Sequence, residues 1–343
     1  MYKLIRPILF LFSPETIHHF IVWLLKVSKY IPFCNSIIRW LFKRNLPNLQ
    51  REVFGIRFTN PVGFAAGFDK DAEIMNQLTN FGYGFVEIGT VTPQPQPGNP
   101  KPRCFRIKES KAVINRMGFN SKGVERMVGR LAKLKRRKGL VIGGNIGKNT
   151  ATANEDAPID YTYSFEKLYT YVDYFTVNIS CPNVSNLCKL QNKDSIAAIL
   201  QPLMEYRKKQ NTYKPILIKL SPDLTFEQVD EQLEVGIQLG IDGIVATNTT
   251  TSRNGIDPQK AAKIGNGGLS GAPLTKRSLE MVSYISKKTA GKLPIIGVGG
   301  IMTEDDAVNM LKAGASLIQL YTGFIYQGPS FVKRINKRLA KEL

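Results

Sequence analysis

YFTVNIS, residues 174–180, is a short apolar run of strand-forming residues that stops in a polar end. Seven other runs from residue 60 onward have the same form: PVGFAAG (61–67), GFVEIGT (84–90), LVIGGNIG (140–147), ILIKLS (216–221), GIVATNT (243–249), PIIGVGG (294–300) and LIQLYTG (317–323). Most are separated by stretches with helical spacing, such as FEQVDEQLEVGIQLG (226–240) and EDDAVNMLKAGA (304–315). Apolar strands alternating with helices predict an α/β protein with a parallel sheet. Eight of them favour a closed (β/α)8 TIM barrel over an open doubly wound sheet, which shares the local pattern.

In such a barrel the functional groups gather where strands end. Lys70 follows the first run, Thr90 ends the second, and Asn145 and Asn178 lie near the ends of the third and fourth. Lys219 falls on the fifth, and Thr247 with Asn248 on the sixth. A lone strand-end asparagine usually serves its own loop, but six successive ends bearing amide, hydroxyl or ammonium groups form a ring of convergent donors. Runs seven and eight end in Gly299-Gly300 and Thr322-Gly323, where backbone N–H groups can approach a phosphate. Together with GGLSG (267–271) they favour a phosphate-bearing ligand, and no Rossmann or P-loop fingerprint points to a dinucleotide or nucleoside triphosphate.

The 343 residues, 43% of them hydrophobic, suffice for one large domain and a small appendage. Cysteines occur at 34, 104, 181 and 188, with no CxxC pair, and the histidines are His18 and His19. Zinc and disulfide frameworks are therefore not expected, no metal is predicted, and a reducing compartment fits. Lys and Arg outnumber Asp and Glu by 47 to 27, a net charge of +20 that favours an anionic partner: nucleic acid, anionic lipid or an acidic small molecule. Runs such as RLAKLKRRKG (130–139) and KRINKRLAKEL (333–343) read as helix ends facing water.

Residues 1–44 differ from the rest, with seven Lys/Arg against one acid, Glu15, and both tryptophans, Trp23 and Trp40. Ser13-Pro14-Glu15 reads as an N-cap, a first-turn proline and a first-turn acid. Ile17, Phe20, Ile21, Leu24 and Leu25 then recur on one helical face, and a second short helix is expected through Ile37, Ile38, Trp40 and Leu41 after a break at Ile31-Pro32. No run approaches the roughly 18 apolar residues of a membrane span, and the segment does not read as a signal peptide. Two basic, aromatic, amphipathic helices can lie on a lipid surface, or can pack as a cap on the main domain. The expected division is 1–44 as this two-helix extension and 45–343 as the barrel.

Cys181 lies just past the fourth run, between Asn178 and Asn183. A thiol, with an ordinary pKa near 8.5, is brought toward neutrality by nearby cations and can then remove a proton from carbon. Lys70 and Lys219 supply such cations. A small buried hydrophobe is the default reading for a single cysteine; it is kept for Cys34, Cys104 and Cys188, while the position of Cys181 outweighs it.

At this point the residues resemble a known family. AAGFDKD (65–71), EIGTVTPQPQPGNPKPR (87–103), NRMGFN (115–120), NIGKN (145–149), NISCPN (178–183), IKLSPD (218–223), TNTT (247–250), GGLSG, GVGGI (297–301) and QLYTGFIY (319–326) are similar, in order, to the motifs of dihydroorotate dehydrogenases. The amino-terminal YKLIRPILFLFSPETIHH (2–19) looks like the helical extension of the membrane-associated, quinone-using branch. The resemblance implies oxidation of dihydroorotate to orotate in pyrimidine biosynthesis, with one FMN per chain. It implies that FMN is held by Ala66, Gly67, Phe68, Asp69, Lys70, Thr90, Asn145, Asn178, Lys219, Thr247, Gly271, Gly300, Tyr321 and Thr322. The pyrimidine would be gripped by Lys70, Asn115, Arg116, Met117, Gly118, Phe119, Asn178, Asn183, Asn248 and Thr249. Cys181 would be the base at C5 while C6 delivers hydride to the flavin, and Lys219 would stabilise negative charge on the reduced ring. His19, Arg106 and Tyr321 would stand near the quinone head group.

One position departs from the pattern, because the quinone branch usually carries serine where the register of NISCPN puts Cys181, and cysteine is typical of the soluble fumarate- or NAD-linked branches. Fumarate is therefore the alternative acceptor. The remaining rivals are a tRNA dihydrouridine synthase, favoured by charge but lacking an appended RNA-binding domain after residue 330, and a non-catalytic lipid-surface protein. The expectation is a monomeric peripheral protein on the cytoplasmic face of the cell membrane, binding an anionic surface and no nucleic acid.

Overall fold

The computed structural model describes residues 2–183 and 190–342. Each of the eight runs forms one strand of a closed parallel barrel: β1 (Val62–Phe64), β2 (Phe85–Val91), β3 (Val141–Ile146), β4 (Tyr174–Val177), β5 (Ile216–Leu220), β6 (Gly243–Ala246), β7 (Ile295–Val298) and β8 (Leu317–Leu320). Neighbours in the barrel are neighbours in the chain, and β8 closes on β1 through Ile318 opposite Val62. All eight strands are buried throughout, as expected where helices cover the outside and side chains fill the inside.

The lower end of the barrel is apolar. Phe85, Val141, Leu217, Val245, Ile296 and Leu317 meet there, and a hairpin of Arg51–Val53 and Ile56–Phe58 inserts Phe58 against them, its ring 5.2 Å from that of Phe85. A separate antiparallel sheet joins Cys104–Ile107, Ala112–Asn115 and Gly268–Gly271. Its strands are four residues long, too short for periodicity to reveal. This sheet carries Asn115 and Gly271 toward the open end of the barrel.

The extension holds both expected helices and one more: α1 (Tyr2–Leu9), α2 (Pro14–Val27) and α3 (Cys34–Phe42). Ser13 caps α2, its hydroxyl accepting from the Thr16 backbone N–H at 3.2 Å. The two-helix expectation missed α1 because Pro7, a residue that argues against a helix interior, lies inside it. Tertiary ties fix it instead: the Tyr2 hydroxyl donates to the Ile325 carbonyl at 2.5 Å and Arg6 to that of Tyr326 at 2.9 Å. Leu25 joins the main core with Ile21, Val22, Ile38 and Phe42 packed against it, so one side of the extension is a cap. The other is not covered, and among the described residues 14 of the 17 exposed large hydrophobic side chains belong to residues 1–44, including Trp23 and Trp40. No helix among the described residues is long and apolar enough to cross a membrane.

The assignment of the lesser cysteines as core filler does not hold for two of them. Cys34 and Cys104 are only half-buried, Cys104 packing from an edge strand against the small cluster of Val113, Met302 and Tyr326; Cys188 lies outside the described residues.

The first-turn acid of α2 has a structural task. Glu15 accepts from Arg103 at 2.8 Å, both side chains being less than 10% exposed, and Arg103 also donates to the carbonyls of Pro97 (2.7 Å) and Asn99 (2.9 Å). Burial raises the Glu15 pKa, but the hydrogen bond and charge of Arg103, with Lys101 and His19, outweigh it and hold the carboxyl below its ordinary value. A depressed carboxyl contributes stability that is present above its unfolded pKa, about 4.3, and lost as pH falls through the lower folded value. Glu15→Gln strands Arg103 without its anion and is expected to cost about 3 kcal/mol. Thermal melting from near-neutral to acid pH should show a lower Tm for the variant, with the difference shrinking in acid.

Candidate active site

A cavity of about 500 Å3 opens at the carboxyl ends of the strands and continues to the inner sides of α1 and α2. Lys70, Thr90, Asn178, Lys219, Thr247, Gly300 and Thr322 reach it from the ends of all strands except β3. Ala66, Gly67, Phe68, Gly271 and Tyr321 complete that part of the wall, and Asn115, Met117, Gly118, Phe119, Asn183, Asn248 and Thr249 close it from above. Cys181, a buried thiol, stands among them. At the far end the wall is Ile5, Leu9, Ile21, Leu24, His18 and Arg106.

Two glycines are required there by close approach. A Cβ on Gly300 (φ +72°) would lie 2.2 Å from Thr275 Cα, and one on Gly271 (φ +100°) 2.3 Å from the Lys111 carbonyl. Neighbouring backbone occupies the space a side chain would need, so the wall can hold this course only with glycine at both positions. Gln319 Oε1 and Asn183 Oδ1, buried acceptors on residues of the wall, have no hydrogen-bond partner among the described residues. A ligand with N–H donors suits them.

Two cations face the cavity. Burial, and secondarily the charge of Arg103, lower Lys70 to about 8, partly offset by Cys181 and Asp71, and its ammonium bonds Asn120. Burial also lowers Lys219, while Glu87 and then Cys181 hold it up. Ser180, the neighbour of Cys181, is turned away: its Oγ accepts from Asn248 Nδ2 at 3.1 Å and it is not part of the wall.

Four expected residues lie elsewhere. Asp69 is 2% exposed and spends its carboxylate on the backbone N–H groups of Glu73 (2.7 Å) and Ile74 (2.8 Å), shaping the turn after β1 rather than facing a ligand. Asn145 lies beneath the wall, donating to Glu87 at 2.8 Å and accepting from Thr90. Arg116 points outward, donating to the carbonyls of Ile264 (2.7 Å) and Asn266 (3.1 Å) with its guanidinium over Phe105. His19 is on the solvent side of α2, 61% exposed and 3.6 Å from Glu15. The helix turns His18 inward instead, edge-on to Phe68 at 4.8 Å. Burial, Lys70 and His19 lower His18 to about 4, so its imidazole is neutral at pH 7. Arg106 and Tyr321 do line the cavity; Arg106 donates to the Phe12 carbonyl at 2.8 Å and lies over the Phe10 ring.

Sequence reasoning missed Glu87 as well as His18. Glu87 is wholly buried in β2 and is the one acid in the eight barrel strands, a signal that was readable in GFVEIGT.

Comparison with known proteins identifies the family of the chain. The family model described as dihydroorotate dehydrogenase matches residues 48–343. A protein of Christiangramia forsetii named dihydroorotate dehydrogenase (quinone) is 52% identical over 343 residues, covering 100% of this chain and 99% of its own length. Proteins of the same name from Cellvibrio japonicus and Coxiella burnetii are 44% and 45% identical, over 97% and 98% of this chain and 96% and 95% of theirs. Among solved structures, ligand-free DHODH of Eimeria tenella superposes with a TM-score of 0.86 at 36% identity, covering 95% of this chain and 94% of that one. Its ferulenol complex gives 0.85 at 36% identity, with 95% and 90% covered. End-to-end relatives at such identity, and a family match spanning the whole barrel, mean that the chain belongs to the dihydroorotate dehydrogenase family.

Proposed function

We propose that this protein oxidises (S)-dihydroorotate to orotate in pyrimidine biosynthesis, using FMN, and passes the electrons to a membrane quinone. The observation that carries this reading is the single cavity, which has an amide-, lysine- and thiol-lined end within the barrel mouth and an apolar end between α1 and α2. The relatives' name, dihydroorotate dehydrogenase (quinone), supports the quinone over fumarate as acceptor.

The residues present fit FMN. Gly271 and Gly300, main chain on the cavity wall, suit its phosphate, and the Gln319 acceptor, without a partner among the described residues, and the Thr90, Asn178, Lys219 and Thr247 groups suit a polar ring system. When bound, FMN supplies a hydride acceptor that the chain's own side chains lack. The amides of Asn115, Asn178, Asn183 and Asn248 can pair with the N–H and C=O groups of a dihydropyrimidine, and Lys70 with its carboxylate. Asn183 Nδ2 donates to Asn115 Oδ1 at 3.2 Å, and Asn248 Oδ1 accepts the Thr249 backbone N–H at 2.8 Å, so both are held in fixed orientation. Cys181 takes the C5 proton, since it stands on the cavity wall and Ser180 does not. Neutral His18, Arg106 and Tyr321 stand toward the quinone end. The uncovered apolar side of the extension would rest on an anionic lipid surface, with its lysines and arginines at headgroup level.

Purified protein should be yellow, bleach with dihydroorotate and turn over with a soluble quinone analogue but not with fumarate; absence of bleaching would sink the reading. Cys181→Ala is expected to slow flavin reduction by dihydroorotate about 10²- to 10⁴-fold while FMN stays bound, the usual loss for a general base, checked by stopped-flow absorbance. His18→Ala should raise the quinone KM about tenfold, roughly the loss of one hydrogen bond, and leave flavin reduction intact. His19→Ala should change neither. Lys70 is charged below about 8 and neutral above it. Orotate affinity should therefore fall as pH rises through that value, by up to about tenfold per pH unit, and Lys70→Met should flatten the profile in a spectroscopic titration.

A further inference from the structure

The eight barrel strands contain two charged residues, Glu87 on β2 and Lys219 on β5. Lys219 is on the cavity wall, whereas Glu87 lies beneath it, 0% exposed, and no step of the proposed reaction uses it. Three side chains converge on its carboxylate: Asn145 Nδ2 donates to Oε1 at 2.8 Å, and Gln319 Nε2 (2.7 Å) and the Tyr174 hydroxyl (3.2 Å) donate to Oε2. Tyr174 reaches it across β3 because Gly143 has no side chain; a Cβ there would lie 2.2 Å from the tyrosine ring.

An ionised carboxylate only accepts hydrogen bonds. Both amides must therefore present their NH2 groups to it and turn their oxygens upward. Asn145 Oδ1 accepts from Thr90 and from Asn178 Nδ2 (3.3 Å), and Asn178 Oδ1 accepts from Asn248 Nδ2 at 3.2 Å. Gln319 Oε1 is left as a buried acceptor without a partner among the described residues.

We propose that Glu87 is a positioning residue of the flavin site, orienting the Asn145 and Gln319 amides and serving as the internal counter-charge that keeps the Lys219 ammonium charged under the flavin. This rests on the FMN reading above. The ionisable groups acting on Lys219 are Glu87 from β2 and Cys181 from the loop after β4, and Tyr174 on β4 acts through its bond to Glu87. Burial penalises the charged lysine, and the Glu87 anion offsets that penalty. Removing the anion, with the amine still buried, leaves the penalty uncompensated.

The test is a redox titration of bound FMN as a function of pH. A plot of midpoint potential against pH should show a break in the wild type that disappears in Lys219→Met. In Glu87→Gln the break should move down by about one pH unit or more, a tenfold or larger change in the lysine ionisation constant; an unmoved break overturns the proposal. Glu87→Asp, which keeps the charge, should keep the break near its wild-type position. If Glu87→Gln does not fold, the double variant Glu87→Gln/Lys219→Met should melt above the Lys219→Met single, because both buried charges leave together; a double variant melting below it overturns the pairing. Since no dihydroorotate is used, the substrate assignment is not at stake, while wild-type protein that holds no FMN would overturn both readings.

Discussion

The polarity of the site is set by one acceptor. Asn248 donates to Asn178, Asn178 to Asn145 and Asn145 to Glu87, so a line of amides that could each face either way is oriented from below by a carboxylate that can only accept. Fixed amide orientation matters because a pyrimidine ring alternates N–H and C=O groups. A reversed asparagine would present two donors, or two acceptors, to each other. The cost is a buried anion in the middle of a barrel, and such a charge is tolerable only when fully hydrogen-bonded and paired. Three donors converge on the Glu87 carboxylate, and the apolar plug of Phe58, Phe85 and Leu217 fills the other end of the barrel.

The two ends of the cavity are joined by a buried ion pair. Arg103 holds Glu15 at the start of α2 and also the carbonyls of Pro97 and Asn99. Asn99 Nδ2 in turn donates to the carbonyls of Arg116 and Asn183, both at 3.0 Å. The helix that forms the apolar end is therefore tied, through an arginine and an asparagine, to the loops that carry Met117 and Asn183 over the polar end.

The barrel was legible because each strand is buried on both faces and so reads as an unbroken apolar run, and because glycine or polar residues end every run at the same side. The strand-end ring was legible for the same reason, and Lys70, Thr90, Asn178, Lys219 and Thr247 do meet. What periodicity could not supply was direction within a turn. His18 and His19 are adjacent, and only the packing of α2 on Phe68 decides which faces inward. Arg116, in a motif whose neighbours line the cavity, bonds outward because the two carbonyls of residues 264 and 266 come from a distant segment. The short sheet of Cys104–Ile107, Ala112–Asn115 and Gly268–Gly271 depends on pairings more than 150 residues apart in part, which no local pattern encodes. Glu87 was visible as an acid inside an apolar strand. Its meaning required knowing that Tyr174 could pass over Gly143 to reach it.

The extension follows the opposite logic to the barrel. Its three helices are held by a small set of ties: Tyr2 and Arg6 to the carbonyls of 325 and 326, Glu15 to Arg103, Lys26 to Glu73 at 3.2 Å, and Asn35 Oδ1 accepting from Asn80 at 2.6 Å. These ties, with the packing of Ile21, Leu25 and Phe42, fix the helices while leaving most of their large apolar side chains uncovered. An isolated helix of eight or nine residues, the length of α1 or α3, is marginal in water, so the contacts with the barrel make the segment a structure at all. Using only one side of each helix for that purpose leaves the other side free. On a lipid surface the uncovered tryptophans, leucines and isoleucines would be buried without any change in the fold, and the apolar end of the cavity would open toward the layer in which a quinone dissolves.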